Sequence, residues 1–170
     1  MKRVLEAKFK PQSETIELEA FGLTSGMDKA RPVMLFREKG GEAVLPVWLS
    51  PLDAGIALTQ HNAQSFTMSP HEVTLEALKQ LGVSLSECHF TELKGHQQYV
   101  NLIFTGSRKL KSMQARADHA ISFCLQAQSK FFCTRGFLNK CRDIEAEMTH
   151  AQMPAGGKNE GRRARGFYLN

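Results

Sequence analysis

Three short stretches place ionisable side chains at positions where helices should begin. "SPHE" (Ser69–Glu72) sets His71 beside Glu72, "QARADHAI" carries Arg116, Asp118 and His119, and "SPLD" (Ser50–Asp53) ends on Asp53. Carboxylates and imidazoles are the groups that ligate divalent ions or move protons, and a guanidinium can steady developing anionic charge. Helix capping accounts for part of this pattern without any chemistry. Ser69 is placed to be an N-cap, Pro70 suits the first helical position, and Glu72 can reach back to complete a capping box. Ser50, Pro51 and Asp53 repeat the device, and each cap is worth about 1 kcal/mol. Both carboxylates are therefore explained by helix starts, whereas His71 is not. It projects outward from the second helical position, available as a base or ligand, with a solvated side chain as the plain alternative. Asp118 has its own plain alternative, a carboxylate complementing a helix dipole and paired with Arg116. His61, His89, His96 and His150 show no ligand spacing.

The chain around these residues is ordinary in bulk. Its 170 residues suit one domain plus a tail, and 42% hydrophobic with 23% charged residues describes a soluble globular protein. No apolar run approaches the roughly 20 residues that span a bilayer, and "MKRVLEAKFK" lacks the apolar region of a secretory signal. A cytoplasmic location with no membrane partner is expected. Cys88, Cys124, Cys133 and Cys141 form no C-x-x-C pair, which supports neither a zinc site nor a disulfide framework. They are expected to be reduced, with Cys88 and Cys124 in apolar surroundings. More than half of the net charge of +5 lies in the tail from Pro154, where Lys158, Arg162, Arg163 and Arg165 face only Glu160. "GRRAR" could add a few phosphate contacts, or the tail could serve only as a solubilising end.

The elements that must position the candidates follow from periodicity. "ETIELEAFGL" alternates as a strand, and "RPVMLF" and "AVLPVWL" flank Gly40-Gly41 as a hairpin. A helix is expected from about Pro51 to Ala63, and a second begins at the capping box. There Leu75, Leu78 and Leu81 form the apolar stripe, and Gly82 is the left-handed stop. "SECHFTEL" and "QYVNLIFTG" make a hairpin around Gly95, with Val100, Leu102 and Phe104 on one face. "ADHAISFCLQAQ" is a third helix, "KFFCT" a short strand, and the stretch from Arg135 is weakly helical. The expected class is α+β: a mixed sheet with β-hairpins and about three helices. No G-x-G-x-x-G or Walker motif is present. An internal echo relates "LPVWLSPLDAGIAL" to "SMQARADHAISF", superposing Asp53 on Asp118 and Ile56 on Ile121, as a βα duplication would.

Taken in order, "LPVWLSPLDAGIAL", "SPHEVTLEALKQLGV" and "QARADHAISFCLQA" resemble the bifunctional nuclease domain family over about residues 16–134. The most specific elements are "LPVWL", "LKQLGV" and the Ala-Arg pair ahead of Ala120-Ile121. On this basis residues 1–142 form the domain and 143–170 a C-terminal extension. The resemblance implies an α+β fold, self-association as a homodimer, and cleavage of RNA and DNA in some members. It matches His71-Glu72 to the family's His-Asp pair, Arg116 to its Arg, and Asp53 to its acidic helix start. Where the family has Pro-Ser-Asp, this chain has Ala117-Asp118-His119, and Thr67-Met68 replaces an Arg-Pro.

The expected function is hydrolysis of nucleic-acid phosphodiesters assisted by Mg²⁺ or Mn²⁺. Asp53, Glu72, Asp118 or His119 would ligate the ion, His71 would act as base and Arg116 would steady charge. This requires the three helix mouths to lie within about 12 Å of one another. The competing expectation is a non-catalytic dimeric module that binds an anion at a helix N-terminus.

Overall fold

The computed structural model describes residues 14–25, 31–61, 69–151 and 166–168. The chain opens with an antiparallel meander of β1 (Thr15–Ser25), β2 (Pro32–Glu38) and β3 (Val44–Trp48), which leads into α1 (Pro51–His61). After α2 (Pro70–Gln80), a second meander of β4 (Ser84–Lys94), β5 (Gln97–Thr105) and β6 (Ser112–Arg116) leads into α3 (Ala117–Gln126). β7 (Lys130–Thr134), α4 (Arg135–Ala151) and β8 (Gly166–Tyr168) follow. The eight strands form one mixed sheet in the order β3-β2-β1-β7-β4-β5-β6, with β8 also on β1. The parallel β4–β7 pair joins the two meanders.

Both expected hairpins form, with Val33 opposite Trp48 and Cys88 opposite Leu102. Gly40 and Gly95 supply the positive φ angles of their turns. Four helices replace the expected three, because the weakly helical stretch after Arg135 is a full helix. Its start is capped when Thr134 Oγ1 accepts the Phe137 N–H at 3.1 Å, and Phe137, Leu138 and Cys141 form its buried stripe. α4 continues without a break through residues 142 and 143. The first helix ends at His61, and residues 62 and 63 lie outside the described residues, as does "GRRAR".

The echo seen in the sequence has a counterpart in the repeated order of three strands and a helix. The two aspartates are not equivalent, however, since Asp53 is the third residue of α1 and Asp118 the second of α3. The core lies on the helix-covered side of the sheet, where Phe36 packs against Phe90 and Phe131 with ring centroids 5.6 and 4.8 Å apart. All four cysteines are free and buried. A hydrogen bond with Cys124, together with burial, pushes the Cys88 thiol well up. Burial pushes Cys133 up to about 12. No helix among the described residues is long and apolar enough to cross a membrane.

Candidate functional site

The N-termini of α1, α2 and α3 meet through a continuous chain of side-chain contacts. At the start of α1, Ser50 accepts the Asp53 N–H at 3.1 Å and its hydroxyl donates back to Asp53 Oδ2. Asp53 is 5% exposed. Burying a carboxylate is costly unless its oxygens are bonded, and two further groups reach it from α3. Ser122 donates to Oδ1 at 2.9 Å, and His119 Nδ1 lies 3.3 Å from Oδ2.

α2 approaches from the other side. Ser69 accepts the Glu72 N–H at 3.2 Å while Glu72 accepts the Ser69 N–H at 2.6 Å, so the capping box is complete. This fixes the first turn and sets His71 Nε2 2.9 Å from Ser122 Oγ, with the ring edge-on to Phe123. Ser122 has one hydroxyl proton, and it points at Asp53. His71 Nε2 is therefore the donor to Ser122, and Nδ1 carries the lone pair. That nitrogen has no partner among the described residues, on a half-buried ring.

At the mouth of α3, Asp118 is clamped by Arg116 through Nε at 3.0 Å and Nη2 at 2.6 Å, and accepts from Gln97 at 3.1 Å. The bond to Asp118 pushes the Arg116 guanidinium further up, so it stays cationic while half-exposed. His119 Nε2 lies 3.8 Å from Asp118 Oδ2, which ties this pair to Asp53. A backbone bond from Ser50 N–H to the Asp118 carbonyl at 3.4 Å joins the starts of α1 and α3 directly.

His71, Asp53, Asp118, His119 and Arg116 are thus brought together. Glu72 is turned along α2 toward Gln126, 3.4 Å away and one turn of α3 beyond Ser122. The expected ligand set of Asp53, Glu72 and Asp118 does not assemble. Asp53 accepts from Ser50 and Ser122 and contacts His119, Asp118 spends both oxygens on Arg116, and Glu72 is committed to its cap. No three His, Cys, Asp or Glu side chains among the described residues are grouped to hold an ion. The donor set as arranged does not fit a divalent metal.

Ser122 and Gln97 were not among the sequence candidates. The available signal was a serine on the apolar stripe of α3 between Ala117, Ala120, Ile121 and Cys124, since a buried hydroxyl needs a partner.

Residues 33–145 match the model of the bifunctional nuclease domain. Similar proteins include "Uncharacterized protein MT1877" of Mycobacterium tuberculosis (strain CDC 1551 / Oshkosh) and "Uncharacterized protein Rv1829" of strain ATCC 25618 / H37Rv. Each is 29% identical over 111 residues, covering 65% of this chain and 66% of the relative. The chain thus spans just under two thirds of the length of the curated relatives it matches. Since the match runs from β2 into α4 and contains all three helix starts, the chain belongs to the bifunctional nuclease domain family.

Proposed function

We propose that this domain is a nuclease that cleaves phosphodiester bonds at the face where α1, α2 and α3 begin. The observation that carries this reading is the chain His71–Ser122–Asp53–His119, which draws three helix N-termini to one place in a nuclease-named family. Helix N-termini favour phosphate, and Arg116 adds a permanent cation beside them. His71 Nδ1 takes the proton of the attacking oxygen as that oxygen bonds to phosphorus. His119 Nε2 gives a proton to the leaving oxygen as its bond to phosphorus breaks. Arg116 steadies the phosphoryl oxygens between them. Asp53 and Ser122 hold the two imidazoles, Asp118 orients Arg116, and Glu72 fixes the turn that carries His71. Four free cysteines suit a reducing, cytoplasmic setting.

The purified protein tested on single-stranded RNA and DNA should cleave at least one of them. His71→Ala and His119→Ala should lose about a hundredfold or more, the usual contribution of a positioned acid or base, and Asp118→Ala should lose activity by releasing Arg116. Parallel reactions with Mg²⁺, Mn²⁺ or EDTA decide whether an ion takes part. Undiminished cleavage in His71→Ala would remove this reading.

A second reading rests on Leu52, 74% exposed, and Val73, 54% exposed, both close to the same helix starts. A second copy covering them would make the domain a dimeric module that binds anions without cleaving. A dimer by light scattering, with no cleavage under any condition, favours that reading.

A further inference from the structure

The loop between β5 and β6, residues 106–111, carries Arg108, Lys109 and Lys111, all exposed and without an anionic partner among the described residues. Several other cations are paired: Lys94 with Glu92, Arg116 with Asp118, and Lys79 with Glu76. Three unpaired cations crowded on one loop repel each other, a cost that a flexible loop would relieve by spreading. This loop is pinned instead. Ser107 Oγ accepts the N–H groups of Lys109 at 3.2 Å and Leu110 at 3.1 Å, Lys111 O accepts the Phe104 N–H at 2.9 Å, and Leu110 packs on the core. Gly106, at φ +87°, lies so close to the Gly82 carbonyl that any Cβ would collide with it. The charges are therefore held at a fixed place against the end of α2.

That place has a defined relation to the candidate site. β6 is the edge strand, and its five residues run from Lys111 straight to Arg116, about 17 Å of extended chain. α2 spans the same interval from Gly82 back to His71, about 16 Å. Along the edge between them, Ser112, Met113 and Gln114 are all exposed.

We infer that the Arg108–Lys111 loop is a second phosphate-binding station for a single-stranded nucleic acid lying along the β6 edge, with its scissile phosphate at Arg116. The inference rests on the nuclease reading and adds where the rest of the strand is held. A single strand suits the geometry because its phosphates follow an edge strand without the width of a duplex. The station binds by charge alone and contributes affinity rather than base selectivity.

The test is anisotropy of a labelled RNA strand of about 12 nucleotides, within the span of single-strand sites, titrated in EDTA over a range of salt. The proteins are the wild type, an R108Q/K109Q/K111Q variant, and a K130Q/K140Q/R142Q control that removes equal charge from exposed positions elsewhere. Three lost phosphate contacts should reduce the slope of log affinity against log salt by about 2, and weaken binding near 0.1 M salt tenfold to a hundredfold. The control should stay near wild type, and cleavage of a dinucleotide, too short to reach the loop, should be unchanged in the loop variant. Equal losses in both variants, or none in the loop variant, overturn the inference while leaving the nuclease reading intact. A wild type that binds and cleaves no strand removes both. Loss confined to binding of phosphatidylserine vesicles would assign the loop to a membrane surface and also overturn it.

Discussion

Ser122 is fully buried and bonded on both sides, donating to Asp53 and accepting from His71. Two roles are available to such a hydroxyl. It could only satisfy a buried carboxylate, or it could also aim an imidazole. Ser122→Ala separates them. Loss of a donor to the buried Asp53 carboxylate should cost about 2 kcal/mol of stability, and that loss is common to both roles. If Ser122 aims His71, kcat should fall about tenfold or more while KM for a short oligonucleotide stays near wild type, because misplacing a base by about 1 Å is costly in rate. A variant that is less stable but cleaves with unchanged kcat would leave Ser122 a purely structural residue. The capping box around His71 was legible from four adjacent residues. Ser122 was not, because its partners are 51 and 69 positions away and a lone serine in "HAISFCL" carries no local pattern.

At the scale of elements, α2 shows what local sequence can and cannot specify. Its end forms a complete closing motif, with Gly82 N–H bonded to Lys79 O and Val83 N–H to Leu78 O, both at 2.9 Å, and Gly82 at φ +68°. Those residues lie together in the chain, so the stop was readable. The contact with Gly106 was not, since it brings together two backbones from separate connections. This contact has a measurable consequence. Gly106→Ala adds a Cβ where the Gly82 carbonyl already sits, at a φ that disfavours side chains. The strain should lower stability by about 3 kcal/mol, the upper end for a forced backbone outlier. Gly95→Ala has a positive φ but open space around it, and should cost only about 1 kcal/mol. Urea midpoints of the two variants compare them directly, and equal losses would show that the loop moves away freely. The fourth helix was under-read for a related reason. Its stripe of Phe137, Leu138 and Cys141 is short, and it becomes decisive only against Phe90 of β4, 5.8 Å away between ring centroids.

Across the whole molecule, two meanders with their helices share one sheet, joined through β7 and α4 and, at the candidate site, through the contacts between α1 and α3. β7 pairs with β1 on one side and β4 on the other, and α4 follows it directly. Alternation within strands made the mixed sheet legible, but the order in which strands meet depends on long-range pairs that no local pattern encodes. One such pair stands at the junction. Arg135, the first residue of α4, donates to Glu38 at the end of β2 through Nη1 at 3.0 Å and Nη2 at 2.7 Å, and lies 3.6 Å from Glu14. The Glu38 side chain is 15% exposed, and the bond to Arg135 holds its carboxyl below the ordinary value of 4.5. A carboxylate depressed on folding adds stability above its unfolded pKa, and that stability is lost as pH falls through the folded value. Glu38→Gln keeps the shape but removes the charge, so it should lower the urea midpoint at pH 7. The gap between wild type and variant should begin to close as pH falls below about 4.5 and vanish once the wild-type carboxyl is itself protonated. Glu92→Gln is the control, because Glu92 is also depressed, chiefly by its hydrogen bond to Lys94, yet its partners, Lys94 on β4 and Gln114 on β6 at 3.3 Å, both lie within the second meander. A gap for Glu38→Gln that does not change with pH down to the onset of acid unfolding would mean that side-chain shape, and not charge, ties the two halves together.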